Sequence, residues 1–235
     1  MQTVTVAQMR ALEAEANAKG LPYAEMMRRA GAACGQRVLT MLNSLKPDRE
    51  NRVVFLIGPG NNGGDGLVCA AALKRLLPQA LVVVYIWERQ HLPEAESDWP
   101  QRGLDEAGVD STLYHVSGDA DSFEAIHLLM QHADIVVDAL FGAGQRGPFP
   151  ADLEAILQAL RMVQANQPTL KVVAVDIPTG IDADTGVALS ENYVRADLTC
   201  TFAYAKPGLL QGAGKAAAGE IMVSDIGFSE VGVGL

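Results

Sequence analysis

Four stretches of this chain are apolar without interruption: Val53–Ile57, Leu81–Ile86, Ile135–Val137 and Val172–Val175. A strand with one wet face alternates apolar and polar side chains, so unbroken runs mark strands covered on both faces. Parallel sheets impose that condition, because their crossover helices lie on either side. Together with shorter runs, the pattern predicts strands near 53–57, 81–86, 111–116, 135–138, 172–176, 198–202 and 221–224. Helical patterns fall between them at 66–77, 93–107, 121–132 and 151–165. The chain is therefore expected to be α/β, a three-layer α/β/α sandwich with a mostly parallel sheet and right-handed crossovers.

Two extra helices are expected ahead of the first strand. Thr5 and Gln8 have the spacing of a capping box opening a helix to about Ala18, and Gly20 ends it. Pro22 suits the first turn of a second helix. Along that helix Tyr23, Met26, Met27, Ala30, Cys34, Val38 and Met41 make one apolar face, on which Gly31 and Gly35 permit close packing. The length of 235 residues suits a single domain over 1–235. A net charge of −10 argues against nucleic-acid partners, which bind through positive charge. No apolar run approaches the roughly 20 residues of a membrane span, and the first residues lack the basic-then-apolar pattern of a signal peptide. Cys34, Cys69 and Cys200 are scattered among small and apolar residues, as buried thiols of a reducing compartment are, so a cytoplasmic location is expected.

The first strand runs into Gly58-Pro-Gly-Asn-Asn-Gly-Gly-Asp-Gly66, expected to be a tight loop ahead of a helix. Glycines admit a ligand close to the backbone, and a helix start offers unpaired N–H groups to an anion. Gly58, Gly60 and Gly63 fit the dinucleotide fingerprint, with Glu88 in place for a ribose. However, Asp65 would compete with a phosphate for the same N–H groups, and Asn61 and Asn62 crowd the approach. The phosphate loop with Lys-Ser/Thr is absent. A glycine-rich turn without a ligand is the alternative. Two further strands end in an acid followed by glycines: Val137-Asp138-Ala-Leu-Phe-Gly142, continuing to Pro148, and Val175-Asp176-Ile-Pro-Thr179-Gly180-Ile-Asp182. Ligands of open α/β sheets bind beyond the carboxyl ends of the strands, so the three loops are expected to share one site. Taken singly, either aspartate is as consistent with a helix cap as with catalysis.

These segments, with Thr201-Phe-Ala-Tyr-Ala-Lys206-Pro-Gly208 and Met26-Met-Arg-Arg-Ala-Gly31, strongly resemble the YjeF N-terminal domain family, the NAD(P)H-hydrate epimerases. The resemblance spans nearly the whole chain. It implies a Rossmann-like fold, often a homodimer, and an isomerase that interconverts the R and S epimers of hydrated NADH and NADPH in metabolite repair. A separate dehydratase consumes the S epimer, and the family often carries that dehydratase fused to this domain. By the family pattern Asn61, Asn62, Gly63, Gly64 and Asp65, with Gly142, Ala143, Gly144, Gln145, Arg146, Gly147 and Pro148, hold the hydrated dinucleotide. Asp176 contacts the damaged ring. Asn62, Asp138 and Thr179 bind a potassium ion, with threonine standing where the family commonly has serine.

Epimerising C6 of the hydrate moves protons near a developing cation, which suits a carboxylate acting as base and counter-charge. Asp176 is the first catalytic candidate. Lys206 is the second, as proton donor or phosphate contact. Asp182-Ala-Asp184 lacks the twelfth-position glutamate of a calcium loop, and the four histidines lack metal-ligand spacing. Glu13 and Glu15 are expected to be solvated. Two other readings stay open: a nicotinamide-dependent dehydrogenase using the same glycines, and a non-catalytic nucleotide-binding scaffold.

Overall fold

The computed structural model describes residues 1–45, 50–87, 109, 114–116 and 120–234. The predicted helix at 93–107, the first half of the strand at 111–116, Glu88 and His91 lie outside the described residues. Helices α1 (Val6–Ala18) and α2 (Tyr23–Leu45) precede the sheet. Strands β1 (Arg52–Ile57), β2 (Leu81–Ile86), β3 (Tyr114–Val116), β4 (Ile135–Ala139), β5 (Lys171–Val175), β6 (Leu198–Phe202) and β7 (Glu220–Ser224) follow. Helices α3 (Asn61–Leu76), α4 (Ala120–Gln131), α5 (Ala151–Asn166) and the short α6 (Gly212–Ala217) connect them.

The seven strands lie in the order β3-β2-β1-β4-β5-β6-β7 and every neighbouring pair is parallel. The order reverses between β1 and β4, the position beyond which α/β sheets take their ligands. Strand periodicity divides the buried residues between the two faces. Val53, Phe55 and Ile57 of β1 pack with α1, α2 and α3, while Val54 and Leu56 pack with α4 and α5. Both faces being covered explains the unbroken apolar runs. Burying Phe55 alone contributes on the order of 2–3 kcal/mol.

Thr5 and Gln8 form the expected capping box at α1. The chain ahead of α1 is tied to the end of the fold: the Val4 N–H donates to the Ala205 carbonyl, and the Val6 N–H donates to Asp184 Oδ1 at 2.8 Å. Helix α2 lies against α3 at the expected glycines. A Cβ on Gly31 would stand 2.5 Å from Val68 Cβ, too close for any side chain. Beneath that contact the Cys34 thiol shares hydrogen bonds with Cys69 of α3 and Cys200 of β6, and all three are fully buried.

Candidate functional site

The glycine segment is shorter as a loop than its composition suggests. Helix α3 begins at Asn61, so Asn61–Gly64 form its first turn rather than a loop. Helix propensity argues against glycines there, but tertiary packing requires them. A Cβ on Gly63 would collide with the Gly58 carbonyl, and one on Gly58 with the Leu140 carbonyl. Gly60 caps the helix without a side-chain hydrogen bond, and Asn61 and Asn62 of the first turn border the space beyond it.

Beyond this turn lies a cavity of about 410 Å³. Its walls are the start of α3 (Asn61, Asn62, Asp65), the chain after β4 (Leu140 to Gln145), Asp176 after β5, Lys206 after β6, and one face of α1. Three strand ends thus meet at one site, as their shared acid-glycine pattern suggests. Arg146, Gly147, Pro148, Gly63 and Gly64 are not part of the lining. Gln145 borders the cavity but its amide is committed elsewhere: Nε2 donates to the Ile181 carbonyl at 2.6 Å and Oε1 accepts from the Gly180 N–H at 2.7 Å. It fastens the loop after β4 to the loop after β5.

Asp176 leaves β5 with φ +66°, a left-handed conformation that costs a non-glycine residue about 1–2 kcal/mol. Surrounding bonds hold it there. Lys206 Nζ lies 2.6 Å from Oδ1, Thr201 Oγ1 donates to Oδ1 at 3.1 Å, and the Ala143 N–H donates to Oδ2 at 3.0 Å. Lys206 is 2% exposed and also donates to Thr201 Oγ1 at 3.0 Å. That seat, against Asp176 at the cavity floor, suits a part in proton transfer better than a phosphate contact. Thr201, fully buried, closes a triangle that sequence reasoning missed, although the residue lies in a recognised segment.

Asp138 and Thr179 lie beneath the floor with no exposed surface. Asp138 accepts from the Thr179 N–H (2.8 Å), from Thr179 Oγ1 (2.7 Å) and from the Leu140 N–H (3.2 Å). Burial raises its pKa to about 6 despite these bonds. Asn62, 9% exposed, has neither amide atom hydrogen-bonded. The unpartnered buried amide of Asn62 and the desolvated carboxylate of Asp138 are each the kind of oxygen donor that a hard, weakly charged cation takes. Among the described residues no cluster of histidine, cysteine, aspartate or glutamate forms a metal site.

Glu13 departs from expectation. It is half-buried and lines the cavity, one helical turn beyond Met9 and Arg10, which line it too. Burial raises its pKa, opposed by Lys206 and reinforced by Asp176. Asp65 is shifted far upward, first by burial and then by Asp176 and Glu13. The spacing Val6, Met9/Arg10, Glu13 on one helix face was the available signal. Glu15 is exposed and paired with Lys19 at 2.7 Å, as expected.

Residues 23–208 match the model of the YjeF-related protein N-terminus family. The chain belongs to that family. Among its relatives, an NAD(P)H-hydrate epimerase of Limosilactobacillus fermentum is 33% identical over 95% of this chain and 96% of its own length. A second, of Levilactobacillus brevis, is 34% identical over 97% and 94%. A bifunctional NAD(P)H-hydrate repair enzyme of Hyperthermus butylicus is 32% identical over 96% of this chain, which spans 38% of that enzyme. The crystal structure of the yeast protein ynu0 shares the fold, with a TM-score of 0.75 at 24% identity over 96% of this chain and 88% of its own. Among the described residues no helix is long and apolar enough to cross a membrane.

Proposed function

We propose that this chain, a family member whose full-length relatives are epimerases, is an NAD(P)H-hydrate epimerase working as one domain over 1–235. The observation that carries the site assignment is Asp176, held in a strained backbone conformation by Lys206, Thr201 and the Ala143 N–H at the cavity floor. Strain maintained by so many bonds is characteristic of functional residues. A fixed carboxylate there supplies negative charge where the ring becomes cationic and accepts a proton as water adds to it. Lys206 fixes that carboxylate and balances its charge.

The dinucleotide's phosphates fit the first turn of α3, at Asn61 and Asn62, and the chain from Gly142 to Gln145 borders the rest of it, with Arg146, Gly147 and Pro148 outside the cavity lining. Asn62, Asp138 and Thr179 would hold a potassium ion. When bound, it supplies positive charge that compensates buried Asp138 and steadies the surrounding loops. The methyl group of Thr179 leaves its hydroxyl in place, already directed at Asp138. A homodimer, a cytoplasmic location and a working partnership with a dehydratase complete the reading. The bifunctional relatives support that partnership.

The test is chiral chromatography of hydrated NADH with the purified chain and its Asp176→Ala variant. The wild type accelerates interconversion of the R and S epimers, and the variant leaves only the spontaneous rate. A fully active variant would overturn the assignment of Asp176. Hydride transfer with a cosubstrate alcohol, seen as a change in reduced-cofactor absorbance, would support a dehydrogenase instead.

A further inference from the structure

The cavity contains more carboxyl groups than one base requires. Glu13 comes from α1, Asp65 from α3 and Asp176 from the end of β5, and all three line the same space. Lys206 is bonded to Asp176. Among the described residues, the other cation facing the group is Arg10, exposed on α1. Neither Glu13 nor Asp65 makes a side-chain hydrogen bond among the described residues, so both remain available to a ligand. Asn62, buried with an unpartnered amide, lines the same cavity.

We propose that Glu13 is a catalytic residue of the epimerisation, sharing with Asp65 the proton that is delivered to the C6 hydroxyl of the hydrated ring. The proposal rests on the epimerase reading. Racemising a carbinolamine carbon without redox chemistry needs an acid for departing water and a base for returning water. The protonated carboxyl of the Glu13–Asp65 pair gives its proton to the C6 hydroxyl. The C–O bond breaks, its electron pair leaves with the oxygen as water, and the ring nitrogen lone pair forms a C=N bond. Water then attacks the opposite face of C6, the C=N pair returns to nitrogen, and the surplus proton passes to Asp176. Solvent carries that proton back to the Glu13–Asp65 pair. One water and one proton are released and regained, and nothing is oxidised.

The environments of the carboxyls fit this division. Burial favours the protonated form at both Glu13 and Asp65, reinforced at each by Asp176 and at Asp65 also by Glu13, whereas Asp176 is bonded to an ammonium. The two acid-side groups enter from helices of the same layer, and the base enters from the sheet.

The experiment compares wild type with Glu13→Gln, Glu13→Asp and the control Glu15→Gln in the epimerisation assay across pH. Glu13→Gln is expected to lower kcat about 100-fold with KM within twofold. Its alkaline limb should move to lower pH, since removing the Glu13 charge makes Asp65 easier to ionise. Glu13→Asp recovers part of kcat and carries the test if the glutamine variant does not fold. Glu15→Gln matches wild type. A kcat within threefold of wild type in Glu13→Gln, or a loss of kcat with an unmoved alkaline limb, overturns the proposal. A wild-type chain with no conversion above the spontaneous rate sinks the epimerase reading itself. An active wild type beside an unaffected variant sinks only the role of Glu13.

Discussion

Replacing Lys206 by methionine tests the physical basis of the site directly. Lys206 and Asp176 lie 2.6 Å apart with side-chain exposures of 2% and 14%. Removing one member of a buried pair leaves the other charged and unpaired, at a cost of about 3–5 kcal/mol. In Lys206→Met, Asp176 keeps its bonds from Thr201 and Ala143 and some solvent, so the cost lies near 3 kcal/mol. For a chain of this size that lowers Tm by about 6–12 °C, at 2–4 °C per kcal/mol. Asp176→Asn leaves the more deeply buried ammonium without its counter-charge and costs more, close to 5 kcal/mol. Asparagine tolerates the left-handed backbone, so strain does not confuse the comparison. The double variant removes both charges and should cost at least about 2 kcal/mol less than the sum of the singles. Urea titrations of all four proteins, with calorimetric Tm values as a second measure, close the cycle. Single-variant costs that add to within about 0.5 kcal/mol would refute the claim that the pair works as a unit.

Asp138 sets a pH dependence. Its folded pKa of about 6 lies above the ordinary 3.8, so between those values the folded state binds more protons than the unfolded. Its contribution is therefore greatest at acidic pH and is lost as pH rises through about 6, roughly 3 kcal/mol in all. Urea midpoints from pH 4 to 7 should show a decline that Asp138→Asn flattens, and equal slopes in both proteins would contradict it. Potassium at ten times its Kd should stabilise the protein by about 1.4 kcal/mol relative to choline at equal ionic strength. Asn62→Ala should lose that increment, and an identical response in the variant would remove Asn62 from the ion site.

The sheet was legible because its signal is redundant. Each of the first three interior strands is an apolar run, and any one of them predicts helices on both faces. The start of α3 was not legible, because Gly63 and Gly64 disfavour a helix by propensity, and the glycine at 63 is explained only by the proximity of the Gly58 carbonyl. Asp138 and Asp176 were found from their position at strand ends. Glu13 was missed because an acid on an amphipathic helix normally faces water. Only the docking of α1, through Ala205 and Asp184, turns that face into a wall. Gln145 illustrates the opposite error, since its place in a binding segment concealed a structural amide.

The three cysteines of the core carry a practical consequence. Cys34, Cys69 and Cys200 belong to α2, α3 and β6, share hydrogen bonds and expose no surface. Cys200 is raised by its bond to Cys34 and then by burial, and Cys34, against an opposing effect of Cys200, by Cys69 and burial, so little reactive thiolate exists there even for a reagent that slips in. Modification must wait until the helical layer parts from the sheet. The rate at which a thiol reagent consumes these groups is thus a clock for that opening, with no label engineered into the protein.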